Sequence, residues 1–276
     1  FGPTGKAMTR AYPMRKVEGE QFDHYHHRGI WFGHENINGV NSWTERGTST
    51  NGLPDDQLNA KQKASLAKAL PHLGSVRHRA FREVTSGPDR AVLVSENDYL
   101  DARGKKYLTE IRRLTFRAES GARLIDWDQE FIASEGDAVF GDMKDAGVNI
   151  RVPSSMAVDT KQGGRLVLAN GKEGATAWGT RATWASYSGK VDGELVGVAL
   201  FNHPSSFRHP TSWHARTYGL LTANCFGTLD KADPNGPHTL KKGEKLVLRH
   251  RFYLHAGDEK SGGVAAAYER YAKEKK

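Results

Sequence analysis

Two features that the sequence has little of, and one that it has in plenty, narrow the class of protein. The 276 residues include a single cysteine, Cys225, which excludes an intrachain disulfide framework and a cysteine-based zinc cluster. No uninterrupted apolar run approaches the ~18 residues that a membrane helix needs. Aromatic residues, by contrast, are plentiful, with 11 Phe, 9 Tyr and 6 Trp, which excludes a disordered chain. The length therefore suits a folded domain with a large core.

Several catalytic signatures are also missing. No Gly-x-Gly-x-x-Gly element follows a predicted strand. The Gly171-Lys172 pair has Leu166 at the position where a phosphate-binding loop needs its first glycine. Ser186 and Ser188 lack the two flanking glycines of a nucleophile elbow. These absences argue against a nucleotide-dependent enzyme and against a serine hydrolase of the α/β type.

The net charge is +8, from 40 Lys and Arg against 32 Asp and Glu. The basic residues are scattered along the chain, as on an ordinary solvated surface, and no RNA-binding or zinc-finger motif accompanies them. We therefore expect neither a nucleic-acid nor a membrane partner. The alternative meaning of the charge is a preference for acidic partners such as an anionic polysaccharide.

Strand patterns dominate the sequence. Residues 245–255 alternate, with leucines, His250 and Phe252 on one face, and residues 122–134 place Ile125, Trp127 and Phe131 opposite an acidic stripe. We interpret that stripe, Asp126, Asp128 and Glu130, as a solvated strand face. Strands do not alternate with helices, so the prediction is a single all-β antiparallel sandwich over residues 1–276. It carries a helical insertion near 55–70 and a C-terminal helix near 263–275.

Histidines concentrate in two segments, residues 23–43 and residues 201–216. Both mix imidazole, guanidinium, amide and indole groups. Indole faces stack on the C–H faces of a sugar, amides and imidazoles hydrogen-bond its hydroxyls, and arginine pairs with a carboxylate or sulfate. The structural alternative is that these side chains satisfy backbone groups at strand ends. Two separate clusters favour a shared site, which predicts that the two segments converge.

The resulting hypothesis is a carbohydrate-active enzyme that works by acid/base chemistry, through hydrolysis, elimination or epimerisation. A non-catalytic sugar-binding module is the alternative. The candidate catalytic residues are His26, His27, Glu35, Asp142, His203 and His214. The candidate substrate-binding residues are Arg28, His34, Asn38, Trp43, Arg181, Trp184, Asn202, Arg208, His209 and Trp213.

A metal-dependent enzyme is the rival interpretation of the first segment. His34-Glu35 resembles the start of a zinc-protease motif, but Asn38 occupies the position of the second histidine. A site of His26, His34 and Glu35 with a distant ligand stays open. No cofactor is otherwise expected.

Short phrases in a fixed order give the chain a family resemblance over nearly its whole length. They are Met8-Thr9-Arg10, Tyr12-Pro13-Met14, Asp23-His24, His26-His27-Arg28, Trp31-Phe32, Asn38-Gly39, Trp43, Trp178-Gly179, Tyr187-Ser188-Gly189, Asn202-His203-Pro204-Ser205, Arg208-His209-Pro210, Trp213-His214 and Tyr218-Gly219-Leu220. The chain resembles a bacterial family labelled methane oxygenase PmoA. The sequence has no membrane helix, so we do not expect the activity in that label.

The resemblance implies a galactose-mutarotase-like β-supersandwich that handles carbohydrates. It also implies a secreted or periplasmic protein, often of bacteria that degrade polysaccharides, whose leader is absent from this sequence. Two positions depart from the family pattern: Tyr25 stands where proline is common, and Gly29 where serine is common. We expect both departures to alter the rim of a pocket more than its chemistry.

Overall fold

The computed structural model describes residues 1–230 and 233–276, and antiparallel strands dominate them, as predicted for an all-β chain. In chain order the strands are β1 Ile30–His34, β2 Ser75–Ser86, β3 Arg90–Leu100, β4 Lys106–Glu119, β5 Ala122–Ile132, β6 Ala138–Phe140, β7 Ala146–Arg151, β8 Arg165–Leu168, β9 Trp184–Val191, β10 Glu194–Asn202, β11 Ser212–Arg216, β12 Leu220–Asn224, β13 His238–Leu240 and β14 Lys245–Ala256. The α-helices in these ranges are α1 Arg46–Thr50, α2 Ala60–Ala69 and α3 Val264–Ala272.

The larger layer is an eight-stranded sheet in the order β2-β3-β4-β5-β14-β10-β9-β8. In its centre β5 pairs with β14, so that Phe131 lies opposite Leu246 and Ile125 opposite Phe252. Alternate residues of both strands enter the core, as the two-residue period predicts. Truncating a fully buried ring such as Phe252 to alanine would cost about 3–5 kcal/mol.

A four-stranded sheet in the order β1-β7-β12-β11 forms the second layer. Its inward residues include Val148, Ile150, Leu221 and Trp213, which belong to the same hydrophobic cluster as the inward face of the larger sheet. The intervening residues of these four strands therefore point away from the core. This outward face of the small sheet, rich in polar side chains, is where the candidate site lies.

The outward face of the large sheet is covered in part by α3. Val264, Tyr268 and Tyr271 of this helix are buried against a second apolar cluster on β5, β9, β10 and β14. The acidic stripe on β5 is not the solvated face that we predicted. Asp126 is 1% exposed and pairs with Arg251, because the helix and the C-terminal residues close over it.

The segment near 55–70 contains α2, which begins at the cap residue Asn59. The Asn59 side chain accepts a hydrogen bond from the Gln62 amide at 2.9 Å, and the Gln62 side-chain oxygen accepts one from the Asn59 amide at 3.1 Å. Pro71 lies in the 3-10 turn that follows the helix. In residues 1–230 and 233–276 no helix is long and apolar enough to span a membrane.

Candidate functional site

A row of four side chains crosses the outward face of the four-stranded sheet. Trp31 of β1 lies opposite Asn149 of β7, Asn149 opposite Thr222 of β12, and Thr222 opposite His214 of β11. Asn149 and Thr222 are fully buried, and the threonine hydroxyl donates to the Asn149 Oδ1 at 2.5 Å. The sheet thus supplies a rigid polar floor, with an indole at one end and an imidazole at the other.

Two fully buried arginines hold the first histidine segment against this floor. Arg151 of β7 donates to the Asp23 carboxylate at 2.8 Å and to the His27 Nδ1 at 3.0 Å. Arg10 donates to the same carboxylate and to the Gln21 carbonyl at 3.0 Å. Burial opposes ionisation of Asp23, but the His24 hydrogen bond and the Arg151 charge hold its pKa well below the usual value. The anion is therefore an integral part of the framework.

Above the floor, neighbouring side chains form a closed circuit of ring contacts, which we call the aromatic rim. Each member contacts the next, and the last contacts the first. The distances between ring centroids, or from the guanidinium carbon of the one arginine to a ring centroid, lie between 4.7 and 6.2 Å. The members, in order, are His27, Trp43, His214, Trp178, Arg216, Tyr218 and His24. Trp178, Tyr218 and His24 are partly exposed, so the rim is open to solvent.

Hydrogen-bond partners fix which nitrogen carries the proton in two of the rim imidazoles. The Arg151 guanidinium can only donate, so the neutral His27 accepts at Nδ1 and carries its proton on Nε2. The Lys144 carbonyl can only accept, so His214 donates from Nδ1 at 2.8 Å and keeps a lone pair on Nε2. His27 therefore offers a donor, whereas His214 offers a base.

His26 lies beside the rim, with its ring 4.5 Å from the His27 ring. Its Nδ1 is 3.1 Å from the Thr48 hydroxyl. That hydroxyl accepts from the Glu45 amide and has its own proton to donate to the His26 Nδ1. When it does so, the neutral His26 carries its proton on Nε2 and is a second imidazole donor. The chain turns here and His24 has a φ of 43°, so the rings of His24 and His27 stack instead of lying on opposite sides of an extended segment.

Burial keeps these imidazoles neutral near pH 7. It lowers the pKa of His214 to about 4, although Asp145 opposes the shift from 3.4 Å away. It also lowers the pKa of His26 to about 4, with help from the His24 charge, and lowers that of His27 further still. A neutral imidazole donates a hydrogen bond from one nitrogen and accepts a proton at the other.

One carboxyl group, that of Asp145, lies next to His214, and a second, that of Glu35, lies near Asp145. Asp145 pairs with Lys144 and faces the His214 ring. Glu35 follows β1, and its amide donates to the Asp145 carbonyl at 3.1 Å. Burial and the Asp145 charge raise the pKa of Glu35 above its usual value, against the opposing Lys144 charge. The Glu35 carboxyl forms no hydrogen bond within residues 1–230 and 233–276, so it is free to exchange a proton with a bound molecule.

The arrangement combines donors, a base, an acid and stacking surfaces on one face. The Nε1 of Trp31 is a further donor, buried and without a partner in the described part of the chain. No three His, Cys, Asp or Glu side chains among the described residues are placed to hold a metal ion, so the set of His26, His34 and Glu35 does not assemble.

Of the second histidine segment, only His214 and Arg216 reach this site, so the predicted convergence is only partly correct. His203 accepts from the Ser205 amide at 3.1 Å and contacts the Glu274 carbonyl at 3.1 Å. Asn202 binds the His209 ring at 2.8 Å. These three residues contact β14 and the C-terminal segment, where they satisfy neighbouring groups of the chain.

The three predicted arginines also lie outside the rim, because each already has a partner. Arg28 pairs with Glu45 at 2.7 Å. Arg181 pairs with Asp233 at 3.2 Å. Arg208 donates to three backbone carbonyls and closes a loop.

Two of the predicted stacking tryptophans and one histidine are core residues. Trp213 is fully buried and donates from Nε1 to the Ala182 carbonyl at 2.9 Å. Trp184 belongs to the cluster under α3. His34 is fully buried, with its ring 5.0 Å from that of Phe226. Of the predicted stacking residues, Trp43 alone lies in the rim.

The last two predicted residues hold turns. Asn38 donates to the Asp137 carbonyl at 3.0 Å and accepts from the Val139 amide at 2.7 Å. Asp142 accepts from the amide and the hydroxyl of Thr228. Both are exposed, and their side chains fix loop geometry.

Sequence reasoning did not identify four of the seven rim members, Trp178, Arg216, Tyr218 and His24, or the polar floor. Arg216 follows His214 by two residues, so the strand period alone would have placed both on one face. Asp145 lies three residues after the candidate Asp142, but no sequence pattern singled it out. Arg10 and Arg151 gave no signal, because burial of an arginine is not visible in sequence.

Comparison with solved structures finds similar β domains at low sequence identity. A GH36 alpha-galactosidase of Geobacillus stearothermophilus is 10% identical, with a TM-score of 0.40 over 69% of this chain and 29% of that chain. A galactose mutarotase related enzyme of Lactobacillus acidophilus is 11% identical, with a TM-score of 0.31 over 66% and 73% of the two chains. A galactose mutarotase-like protein of Clostridium acetobutylicum is 10% identical, with a TM-score of 0.31 over 74% and 85%.

The chain thus spans less than a third of the length of the alpha-galactosidase. A search of curated proteins finds no match. A family model, by contrast, matches residues 1–269, which is nearly the whole chain, and its description is "Family of unknown function (DUF6807)". The chain belongs to this DUF6807 family.

Proposed function

We propose that the protein is a carbohydrate-active enzyme that binds a sugar within the aromatic rim and moves protons to and from it. The observation that supports this most is the juxtaposition of partly exposed ring faces with a free imidazole base. Trp178 and Tyr218 belong to the same circuit as His214, whose Nε2 has no hydrogen-bond partner in residues 1–230 and 233–276. Concave sites that combine aromatic walls with a few convergent polar groups typically bind small molecules.

A sugar suits these groups because it has both apolar C–H faces and a ring of hydroxyls. The Nε2–H groups of His26 and His27 are donors for hydroxyl oxygens. The indole and phenol faces supply apolar area without needing polar partners of their own. A purely apolar ligand would leave these donors unpaired, at a cost of about 1–3 kcal/mol each.

The proton-transfer roles follow from the two pKa shifts. His214 is neutral above about pH 4 and accepts a proton at Nε2. Glu35, with its raised pKa, holds a proton at higher pH than an ordinary carboxyl and is the corresponding acid. Asp145 lies beside both groups, and it stabilises the imidazolium that forms when His214 is protonated. This division of roles allows hydrolysis, elimination or epimerisation.

The test is turnover of a panel of neutral and uronic oligosaccharides by the purified protein, monitored by chromatography of products. His214→Asn is the diagnostic variant, because the asparagine amide replaces the Nδ1–H that donates to the Lys144 carbonyl but removes Nε2. We expect the wild type to convert at least one sugar and the variant to bind it without converting it. Saturable binding by the wild type without turnover would instead show a sugar-binding module. Absence of binding to any member would contradict the proposal.

The resemblance to a family of secreted or periplasmic proteins, often of bacteria that degrade polysaccharides, extends the proposal to where the enzyme acts. We propose action outside the cytoplasm. Cell fractionation of a producing bacterium with an antibody against the chain tests this, and recovery in the cytoplasmic fraction would contradict it.

A further inference from the structure

Arg216, the arginine of the aromatic rim, has no anionic partner among the described residues. Arg216 forms no salt bridge with any residue of 1–230 and 233–276, whereas Arg10 and Arg151 both pair with Asp23. Its side chain is exposed at the end of β11. The guanidinium carbon lies 4.8 Å from the Trp178 ring centroid and 5.8 Å from that of Tyr218. Two aromatic faces therefore hold the charged, hydrogen-bonding guanidinium of Arg216 in the rim.

The same indole ring contacts both Arg216 and the proposed base. Trp178 packs edge-on against the His214 ring at 4.7 Å, and its face lies under the Arg216 guanidinium. His214 and Arg216 are two residues apart on one strand and so share a face. A ligand group bound by the guanidinium consequently lies on the same strand face as the His214 side chain.

We propose that Arg216 binds the carboxylate of a uronic acid residue, which makes the substrate an acidic oligosaccharide. This inference rests on the proposed function of the rim. A planar guanidinium pairs with a carboxylate through two parallel hydrogen bonds, which fixes the orientation of the sugar ring as well as its charge. The three arginines predicted from the sequence, Arg28, Arg181 and Arg208, already have partners, so this role falls to Arg216.

A carboxylate at this position explains why a base is placed beside it. When the His214 Nε2 takes the proton from the carbon next to the carboxylate, the C–H electron pair passes into the carboxylate, where Arg216 offsets the added charge. In an elimination that pair then forms a C=C bond as the neighbouring C–O bond breaks. The departing oxygen takes the proton of Glu35, and water later restores both groups. No oxidant or metal is needed.

The experiment compares two classes of substrate, acidic and neutral, and three variants. Oligogalacturonate, oligoglucuronate and alginate oligomers are matched against neutral oligogalactosides and oligoglucosides. Binding is measured by calorimetry, and proton abstraction by deuterium exchange at the carbon beside the carboxylate in D₂O. The variants are Arg216→Gln, Arg216→Lys and, as a control on an exposed turn, Arg103→Gln.

We expect an acidic oligomer to bind and to exchange, with kcat/KM lowered about 10- to 100-fold by Arg216→Gln and less by Arg216→Lys. Arg103→Gln should leave kcat/KM unchanged. Equal activity on a neutral sugar that Arg216→Gln does not alter would overturn the inference while keeping the proposed function. Absence of binding to both substrate classes would overturn the proposed function itself. An equal loss of kcat/KM on the acidic oligomer in Arg216→Gln and Arg103→Gln would show that net charge causes the effect, and it would overturn the role of Arg216.

Discussion

The molecule contains two clusters of histidines that look alike in sequence and differ in one physical respect. In the rim cluster, His27 and His214 each use Nδ1 on the framework and leave Nε2 without a partner in the described chain. In the second cluster, His203 uses both nitrogens on neighbouring groups, and the Asn202 amide bridges His209 and His250. The comparison teaches that imidazole density alone does not distinguish a candidate site from structural packing: His27 and His214 use one nitrogen on the framework, whereas His203 is held by the chain at both.

The largest expected effect comes from the free nitrogen of the rim cluster. We expect His214→Asn to lower kcat on a converted sugar about 100- to 10,000-fold, the usual contribution of a general base. The thermal midpoint should change little, because asparagine keeps the hydrogen bond to the Lys144 carbonyl. The measurement is steady-state kinetics beside a melting curve. Full activity in a folded His214→Asn variant would remove this residue from the mechanism.

Glu35→Gln should have the next largest effect, about a 100-fold loss of kcat. The wild type should show a bell-shaped pH profile: activity rises with pH through about 4 as His214 loses its proton, and falls where Glu35 ionises. Asp145, Lys144 and Arg216 are the charged groups that face this pair. In Glu35→Gln the alkaline limb should vanish, as pH profiles of kcat would reveal. An unchanged alkaline limb would assign it to another group.

Asp23→Asn probes the framework that the second cluster lacks. It leaves Arg10 and Arg151, both fully buried, without their carboxylate. We expect a loss of about 2 kcal/mol in the free energy of unfolding at pH 7, less than the ~3–5 of a fully buried pair because the Asp23 side chain is 37% exposed. Urea denaturation measures it.

The pH dependence of that loss has a definite sign. Because the pKa of Asp23 is lowered in the folded state, its contribution is complete above about pH 4 and disappears as the pH falls further. The wild type and Asp23→Asn should therefore approach each other in stability at low pH. A constant difference down to pH 2 would show that the ion pairs are not the cause.

The smallest effect is expected in the second cluster. His203→Gln keeps a donor toward the Glu274 carbonyl but loses the acceptor for the Ser205 amide. We expect about 1 kcal/mol of destabilisation and no change in kcat. A large loss of kcat without destabilisation would show that the two clusters act together.

Strand periodicity was enough to predict the all-β fold and the inward faces of β5 and β14, because side-chain alternation is a local property. The site was only partly predictable. His26, His27, Trp43 and His214 were identified, since rare residue types in a dense segment are visible in sequence. The polar floor and the arginines that pair with Asp23 were not identified. The pairing of Asn149 with Thr222, for example, depends on strand register between distant segments.

The same limit explains the wrong assignments. Trp213 and His214 are adjacent in sequence, and the strand sends one into the core and the other to the site. Arg28, Arg181 and Arg208 were predicted to bind substrate and Arg216 was not, although the sequence alone does not distinguish paired from unpaired arginines. Whether a charge is already paired is a property of tertiary contacts, so composition cannot show it.

The most direct test of the difference between the clusters is side-chain NMR of the ¹⁵N-labelled histidines, assigned by single His→Asn variants, during titration with the oligosaccharide that binds. The Nε2 signals of His26, His27 and His214 should shift at saturation, with the His214 nitrogen showing an unprotonated lone pair at pH 7 before addition. Those of His203, His209 and His250 should stay in place. Shifts confined to the second cluster, or a protonated His214 Nε2 at pH 7, would contradict the assignment of the site.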